Sequence, residues 1–234
     1  MADAKIILYT NHRCPWAHRA HIALEELKVP FEEVIIDLDT PRTPEYLAIN
    51  PRGLVPTISY NGTIIPESGI VAGFLTDQYP SHLVPASTDE GGALRRAKIA
   101  FFVDAYFSKF QSHLFKLFSV KSDDEATPLI ENAVASLVKE VEPLLADAAP
   151  FFGGSDKLTL AEVLTGSFVI RLTSLANAEV YPSGLKQAVE ERAPNFSKWA
   201  AAVSKHPSIT SIYDEEKIIA GTKARIAKAR AAAA

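Results

Sequence analysis

The sequence predicts an α/β domain of order βαβαββα followed by a larger all-helical domain. Three observations predict it. Between residues 5 and 80, short β-branched runs alternate with helical spacing and meet at Asn61-Gly62, a strong two-residue hairpin signal. Residues 80–92 are polar and turn-rich, as a connection should be. Beyond residue 93, apolar residues recur at helical spacing with no convincing strand pattern. The resulting organisation is a first domain at 1–80, a linker at 81–92 and a helical domain at 93–234. A chain of 234 residues is long enough to give each part its own core.

The first strand is Ile6-Ile7-Leu8-Tyr9, and a helix opens at Pro15 with Ala17, Ala20, Ala23, Leu24 and Leu27 on one face. Pro15 suits the first helical position, where its missing N–H costs nothing. Phe31–Asp37, entered through Pro30, is the second strand, and a helix between two such close strands makes them parallel. Thr43 and Pro44 start a short helix that ends at Asn50-Pro51. Residues 53–60 form a strand entered through Pro56, which marks an edge, a strand start or a cis bond. Thr63-Ile64-Ile65 returns antiparallel. Glu67-Ser68 then opens a helix with Ile70, Val71, Phe74 and Leu75 as its apolar positions. This order is a thioredoxin-like arrangement.

In the helical part, residues 93–118 carry Ile99, Val103, Tyr106, Phe107, Phe110, Leu114 and Leu117 at helical spacing, with further phenylalanines widening the stripe. The bulk of this stripe is expected to be core, and one edge of it to wall an apolar pocket. A second helix spans 125–147, with a kink or early end at Pro143. Thr159 and Glu162 form a capping box, with Leu158 and Val163 as its hydrophobic staple, at the head of a buried helix reaching about Ala176. This helix is expected to serve folding rather than chemistry. Helices near 184–191 and 194–204 follow, with Trp199 in the core. The tail from Lys217 is basic and alanine-rich. Lys223, Arg225, Lys228 and Arg230 are expected on a solvated helix face or a frayed end.

Hydrophobic residues make up 47% of the chain and charged residues 22%, ordinary values for a globular protein. A net charge of -4 argues against a nucleic-acid partner. No apolar run approaches the roughly 20 residues that span a bilayer, and no secretory leader is evident, so a cytoplasmic protein without a membrane partner is expected. The six histidines are scattered, without metal-ligand spacing, so no metal is assigned.

Chemistry is expected at Cys14, the one cysteine of the chain. It lies between a strand and a helix start, where unpaired backbone N–H groups and the helix dipole favour an anion. Thiols so placed commonly have pKa values of roughly 3.5–7.5 against about 8.5 when free. Arg13, His12 and His18 stand close in sequence and can add positive charge. Position 17 is Ala, so no Cys-x-x-Cys disulfide can close. A mixed disulfide on Cys14 must be resolved by an outside thiol, and the abundant small intracellular thiol is glutathione.

The chain resembles the cytosolic glutathione transferases over nearly its whole length, and among them the cysteine-type branch closest to the omega class. Cys14-Pro15-Trp16-Ala17-His18-Arg19 resembles the omega Cys-Pro-Phe-Ala-x-Arg motif. Residues 50–56 resemble the segment carrying the family's cis-proline, and Glu67-Ser68 matches its acidic-serine pair at a helix start. Phe151-Phe152-Gly153-Gly154 and the capping box match the omega helical domain, with Glu162 where Asp is usual.

The resemblance implies a glutathione transferase fold and glutathione as co-substrate. Ser68 and its helix start would hold the γ-glutamyl carboxylate, Glu67 the ammonium group, and the Val55 backbone the cysteinyl backbone, with Pro56 shaping that edge. Trp16 would pack beside glutathione and a second-substrate pocket, for which helix position suggests Phe110, Leu114 and Arg171. The omega lysine that meets the glycyl carboxylate is absent: Leu47, Ala48 and Ile49 stand there, leaving Arg52 or Arg13 as replacements. The implied activity is glutathione-dependent thiol transfer through a Cys14 mixed disulfide, on glutathionylated substrates or on dehydroascorbate-type electrophiles. His18 brings the motif close to the glutathionyl-hydroquinone reductases, which supplies an alternative. A conjugating transferase and a non-catalytic glutathione-binding module are the other readings. A homodimer using helices 67–79 and 93–118 is also implied.

Overall fold

The computed structural model describes residues 4–232, without the side chains of 229, 230 and 232, so the expectation for Arg230 lies outside the described residues. Four strands form one mixed sheet: β1 (Ile6–Thr10), β2 (Glu32–Ile35), β3 (Thr57–Tyr60) and β4 (Thr63–Pro66). Their spatial order is β2-β1-β3-β4. β1 runs parallel to β2, with Ile7 opposite Glu32, and antiparallel to β3, with Leu8 opposite Ile58. The β3–β4 hairpin turns on Asn61 and Gly62, both at positive φ (49° and 87°), which matches the right-handed strand twist.

Helix α1 (Pro15–Leu27) crosses between β1 and β2, and α2 (Pro44–Ile49) follows β2. Helix α3 (Ser68–Gln78) closes this part. The predicted apolar face of α3 is corrected: Ile70 is exposed, and the helix buries Val71, Ala72, Leu75 and Thr76. The true face is read from Ser68, which anchors the helix start inside the protein.

The helical part contains α4 (Gly92–Ala105), a π-helical turn (Tyr106–Gln111), α5 (Ser112–Leu117), α6 (Asp123–Glu140) and a 3₁₀ turn at Glu142–Leu145. It continues with α7 (Leu160–Asn177), α8 (Leu185–Arg192), α9 (Pro194–Val203), a short α10 (Pro207–Thr210) and α11 (Glu215–Ala232). The chain leaves α6 two residues before Pro143, as the proline predicts. The Thr159–Glu162 capping box is present at α7, and both staple residues are fully buried.

The π turn inserts an extra residue into what the sequence presents as one continuous helix. That insertion rotates the aromatic stripe, with consequences for the site. Helix α7 packs against α1, α3, α4 and α9, so it joins the sheet-bearing part to the helical part. One hydrophobic cluster runs unbroken from Leu8 and Ile58 through Phe102 and Tyr106 to Trp199. No described helix is long and apolar enough to cross a membrane.

Candidate active site

Cys14 occupies the N-cap position of α1, with extended backbone (φ -82°, ψ 119°) and Pro15 at the first helical position. Its N–H donates to the Asn11 carbonyl at 3.0 Å, and its carbonyl accepts from His18 at 3.1 Å. The side chain makes no capping hydrogen bond to the helix start. Its Sγ lies 3.9 Å from the Val55 carbonyl oxygen. The Val55–Pro56 peptide is cis. The Val55 loop is held by Tyr46 Oη and Asn50 Nδ2, which donate to the Leu54 carbonyl at 2.5 and 3.0 Å. Cys14, Val55, Tyr46 and Ala17 form a small apolar cluster of their own, apart from the main core.

Beside Cys14 opens a cavity of about 740 Å³. Trp16, Phe115, Phe118, Phe168 and Tyr181 give it aromatic walls. Arg13, Arg171, Lys217, Arg225 and Lys228 give it five basic groups against one acid, Asp39. A cavity so built favours an aromatic guest carrying negative charge.

Arg171 reaches this cavity from α7. It is 8% exposed, yet among the described residues it has no carboxylate partner. Its guanidinium donates to the carbonyls of Ser167, His12 and Arg13 at 2.8, 3.3 and 3.4 Å. It also meets His18 Nδ1 at 3.1 Å and lies 5.2 Å from the Tyr213 ring centre. Burial pulls its pKa down to about 10, while the Tyr213 hydroxyl and the Cys14 sulfur act to keep it charged. Arg171 is therefore a buried cation at the cavity wall, with no carboxylate partner among the described residues.

His18 is fully buried, and burial together with the Arg171 charge holds its pKa well below the usual histidine value. With Nδ1 accepting from Arg171, the proton of the neutral ring belongs on Nε2, which has no hydrogen-bond partner among the described residues. His18 therefore binds fewer protons folded than unfolded. Its contribution to stability is complete above pH about 6.5 and is lost as pH falls from there. Native protein should lose up to about 1.4 kcal/mol per pH unit through this group below that point. Urea midpoints at pH 7.5 and 5.5 should show a smaller acid loss in His18→Gln. His21, which burial holds at about 4, adds a loss of the same sign in both proteins.

A second buried guanidinium, Arg19, links Trp16 to Ser68. It donates to the Ser68 hydroxyl at 3.0 Å and to the Leu164 carbonyl at 2.6 Å. Its guanidinium carbon lies 4.5 Å from the ring centres of both Trp16 and Phe107. The Ser68 oxygen accepts from Arg19 and keeps its own proton to donate. Glu67, at positive φ (72°), places its carboxylate 2.5 Å from Arg52 Nη1. Arg13 is paired with Asp39 at 2.6 Å.

The structure thus brings Cys14, Trp16 and Arg171 to one cavity and sets Val55 against the thiol. Pro56, Glu67 and Ser68 lie outside the cavity lining. Phe110 and Leu114 are corrected: both are fully buried core and neither lines the cavity. The π turn puts Gln111, Phe115 and Phe118 there instead. Lys223, Arg225 and Lys228 are exposed, as the solvated face requires, and Arg225 and Lys228, with Lys217, also border the cavity. Their near-helical spacing was the available signal. Arg19 was overlooked although it closes the Cys-Pro motif on the buried side of α1. His12, His21 and Glu33, remote in sequence, also converge.

Comparison with known proteins matches this layout. The model for the glutathione S-transferase N-terminal domain matches residues 13–78, the span from the residue before Cys14 to the end of α3. A solved omega-class glutathione transferase from Trametes versicolor, Omega 2C, is 28% identical and superposes with a TM-score of 0.79, over 96% of this chain and 99% of that one. Residues 13–78 form a glutathione S-transferase N-terminal domain, and the chain as a whole has the fold of the solved glutathione transferases. A zeta-class glutathione S-transferase from Euphorbia esula is 28% identical over 164 residues, 68% of this chain and 72% of that protein. A rice glutathione transferase solved in complex with glutathione has a TM-score of 0.77 at 22% identity, covering 97% of this chain and 99% of that one. Glutathione is the co-substrate of the glutathione transferase family.

Proposed function

We propose that this chain is a glutathione transferase of the cysteine type, an omega-like thiol transferase acting through a Cys14–glutathione mixed disulfide. The observation that carries the reading is the Cys14 thiol, set uncapped at a helix start, at the mouth of an aromatic cavity and beside the unpaired cation of Arg171. In the first step the Cys14 thiolate attacks the glutathionyl sulfur of a substrate disulfide. The Cys14–S–S–glutathione bond forms, and the substrate leaves as a thiolate that takes a proton from water. A second glutathione thiolate then attacks the mixed disulfide, freeing Cys14 and releasing oxidised glutathione. The substrate's glutathionyl group and one free glutathione leave together as oxidised glutathione, and the substrate leaves as a thiol, so the electrons balance.

In this reading residues 1–80 hold glutathione, 81–92 connect, and 93–234 cover the second substrate. Ser68, backed by the Arg19 charge, donates to the γ-glutamyl carboxylate, while Glu67 exchanges Arg52 for the γ-glutamyl ammonium group. The Val55 backbone pairs with the cysteinyl backbone as an added strand, on the edge shaped by cis Pro56. Trp16 separates glutathione from the guest. The second substrate is an aromatic anion, received by Phe115, Phe118 and Phe168 with Arg171, Lys217 and Arg225. A homodimer in the cytoplasm is the setting proposed.

Arg171 is expected to receive the negative charge of the second substrate. Arg171→Gln should raise the KM for an anionic aromatic substrate by about tenfold with kcat little changed. An unchanged KM removes Arg171 from the guest cavity. Turnover of a glutathionylated peptide, dehydroascorbate and a glutathionyl-hydroquinone tests the function itself. Reduction of at least one, with oxidised glutathione as product, is expected. Conjugation of glutathione to an electrophile with no reductase activity favours the alternative reading.

A further inference from the structure

We propose that His12, His21 and Glu33 form a binding site for one borderline divalent transition-metal ion, of which Zn²⁺ is the representative. The three residues come from three different elements: the loop before Cys14, the buried side of α1, and the exposed edge strand β2. Their potential ligand atoms all lie within 4.8 Å of one another. His12 Nε2 and His21 Nε2 both point at a single carboxylate oxygen, Glu33 Oε1, at 2.6 and 3.4 Å. The two imidazole rings stand edge to face, 5.2 Å between centres, so their nitrogens converge rather than stack.

A tetrahedral site with metal–ligand bonds of 2.0–2.2 Å needs ligand atoms about 3.4 Å apart. Reaching that spacing requires small rotations of His12 and Glu33, whose side chains are 44% and 32% exposed and free to turn. His21 is buried and fixes the floor of the site. Its Nε2 also meets Thr10 Oγ1 at 2.9 Å, and this hydroxyl must turn aside on metal binding. Two imidazoles and one carboxylate suit Zn²⁺, Co²⁺, Ni²⁺ or Cu²⁺ and do not suit Mg²⁺ or Ca²⁺, which take oxygen ligands. The exposed side leaves the fourth position to water. The site is independent of the glutathione chemistry but adjacent to it. The His12 carbonyl accepts from Arg171 at 3.3 Å, so an occupied site ties down the loop that carries Cys14.

The test uses the full chain as Cys14→Ser, which removes the thiol as a competing ligand. Co²⁺ is titrated and followed by its visible d–d absorption, and Zn²⁺ is then used to displace it. One saturable equivalent is expected, with the intensity of a four- or five-coordinate ion. His12→Ala and Glu33→Gln, both at partly exposed side chains and checked by circular dichroism, should each weaken Zn²⁺ binding by at least about tenfold. No saturable uptake overturns the proposal. So does uptake that neither substitution weakens, or uptake by the native chain that disappears in Cys14→Ser.

Discussion

In a Cys14→Ser variant, glutathione-dependent reduction of a mixed disulfide is expected to fall at least about 10³-fold, to the uncatalysed level. A serine oxygen cannot form the disulfide on which the proposed cycle depends, whereas the substitution removes little volume. The Cys14 backbone is fixed independently of its side chain by the Asn11 and His18 bonds, so the α1 start should survive. Glutathione affinity, measured by calorimetry, should stay within about threefold, because the proposed contacts are made by Val55, Glu67 and Ser68. The combination separates the readings. A conjugating transferase would keep most of its activity in Cys14→Ser, and a binding module would have had none to lose.

Glu162→Ala is expected to destabilise the chain by about 4 kcal/mol or more. Glu162 is fully buried and serves four donors. Its Oε1 accepts from the Phe152 N–H at 2.8 Å and from Trp199 Nε1 at 2.7 Å. Its Oε2 accepts from the Thr159 N–H at 2.8 Å and hydroxyl at 2.7 Å. One carboxylate thus ties the start of α7 to the Phe-Phe-Gly-Gly turn and to α9. Truncation strands two backbone N–H groups and an indole N–H in an apolar interior, each costing about 1–3 kcal/mol. Thr159→Ala, which loses only a helix cap, should cost about 1 kcal/mol. Urea unfolding monitored by far-UV circular dichroism measures both. Equal losses in the two variants would mean that Glu162 acts only as a cap.

The departure of Glu162 from the aspartate usual at this position has a physical reading. The longer side chain reaches Trp199 as well as the capping box, and the sequence contains both residues but not their distance. Local features were legible wherever the determinant is itself local: the Asn61-Gly62 turn, the Pro15 helix start, the Thr159 cap. The thiol and the Val55–Pro56 segment belong to the same class, since each sits at a strand end whose neighbour follows from chain order. Features set by packing between distant elements were not legible. Arg171 was legible as a pocket residue from its helix position, whereas Arg19 looks in sequence like a surface residue and only the meeting of α1 with α7 buries it. Phe110 and Leu114 fell on the wrong side because no periodicity signals the π turn at 106–111. His12, His21 and Glu33 share a site because β2 lies parallel to β1, which brings Glu33 next to Leu8 in the sheet.

The central claim is that Cys14 carries glutathione as a covalent intermediate, and intact-protein mass spectrometry tests it most directly. Native chain and Cys14→Ser are incubated with oxidised glutathione at neutral pH, then with excess reduced glutathione. The account predicts one glutathionyl addition on the native chain, none on the variant, and complete reversal by the reduced thiol. A native chain that stays unmodified under these conditions, or an adduct that reduced glutathione cannot remove, would contradict it.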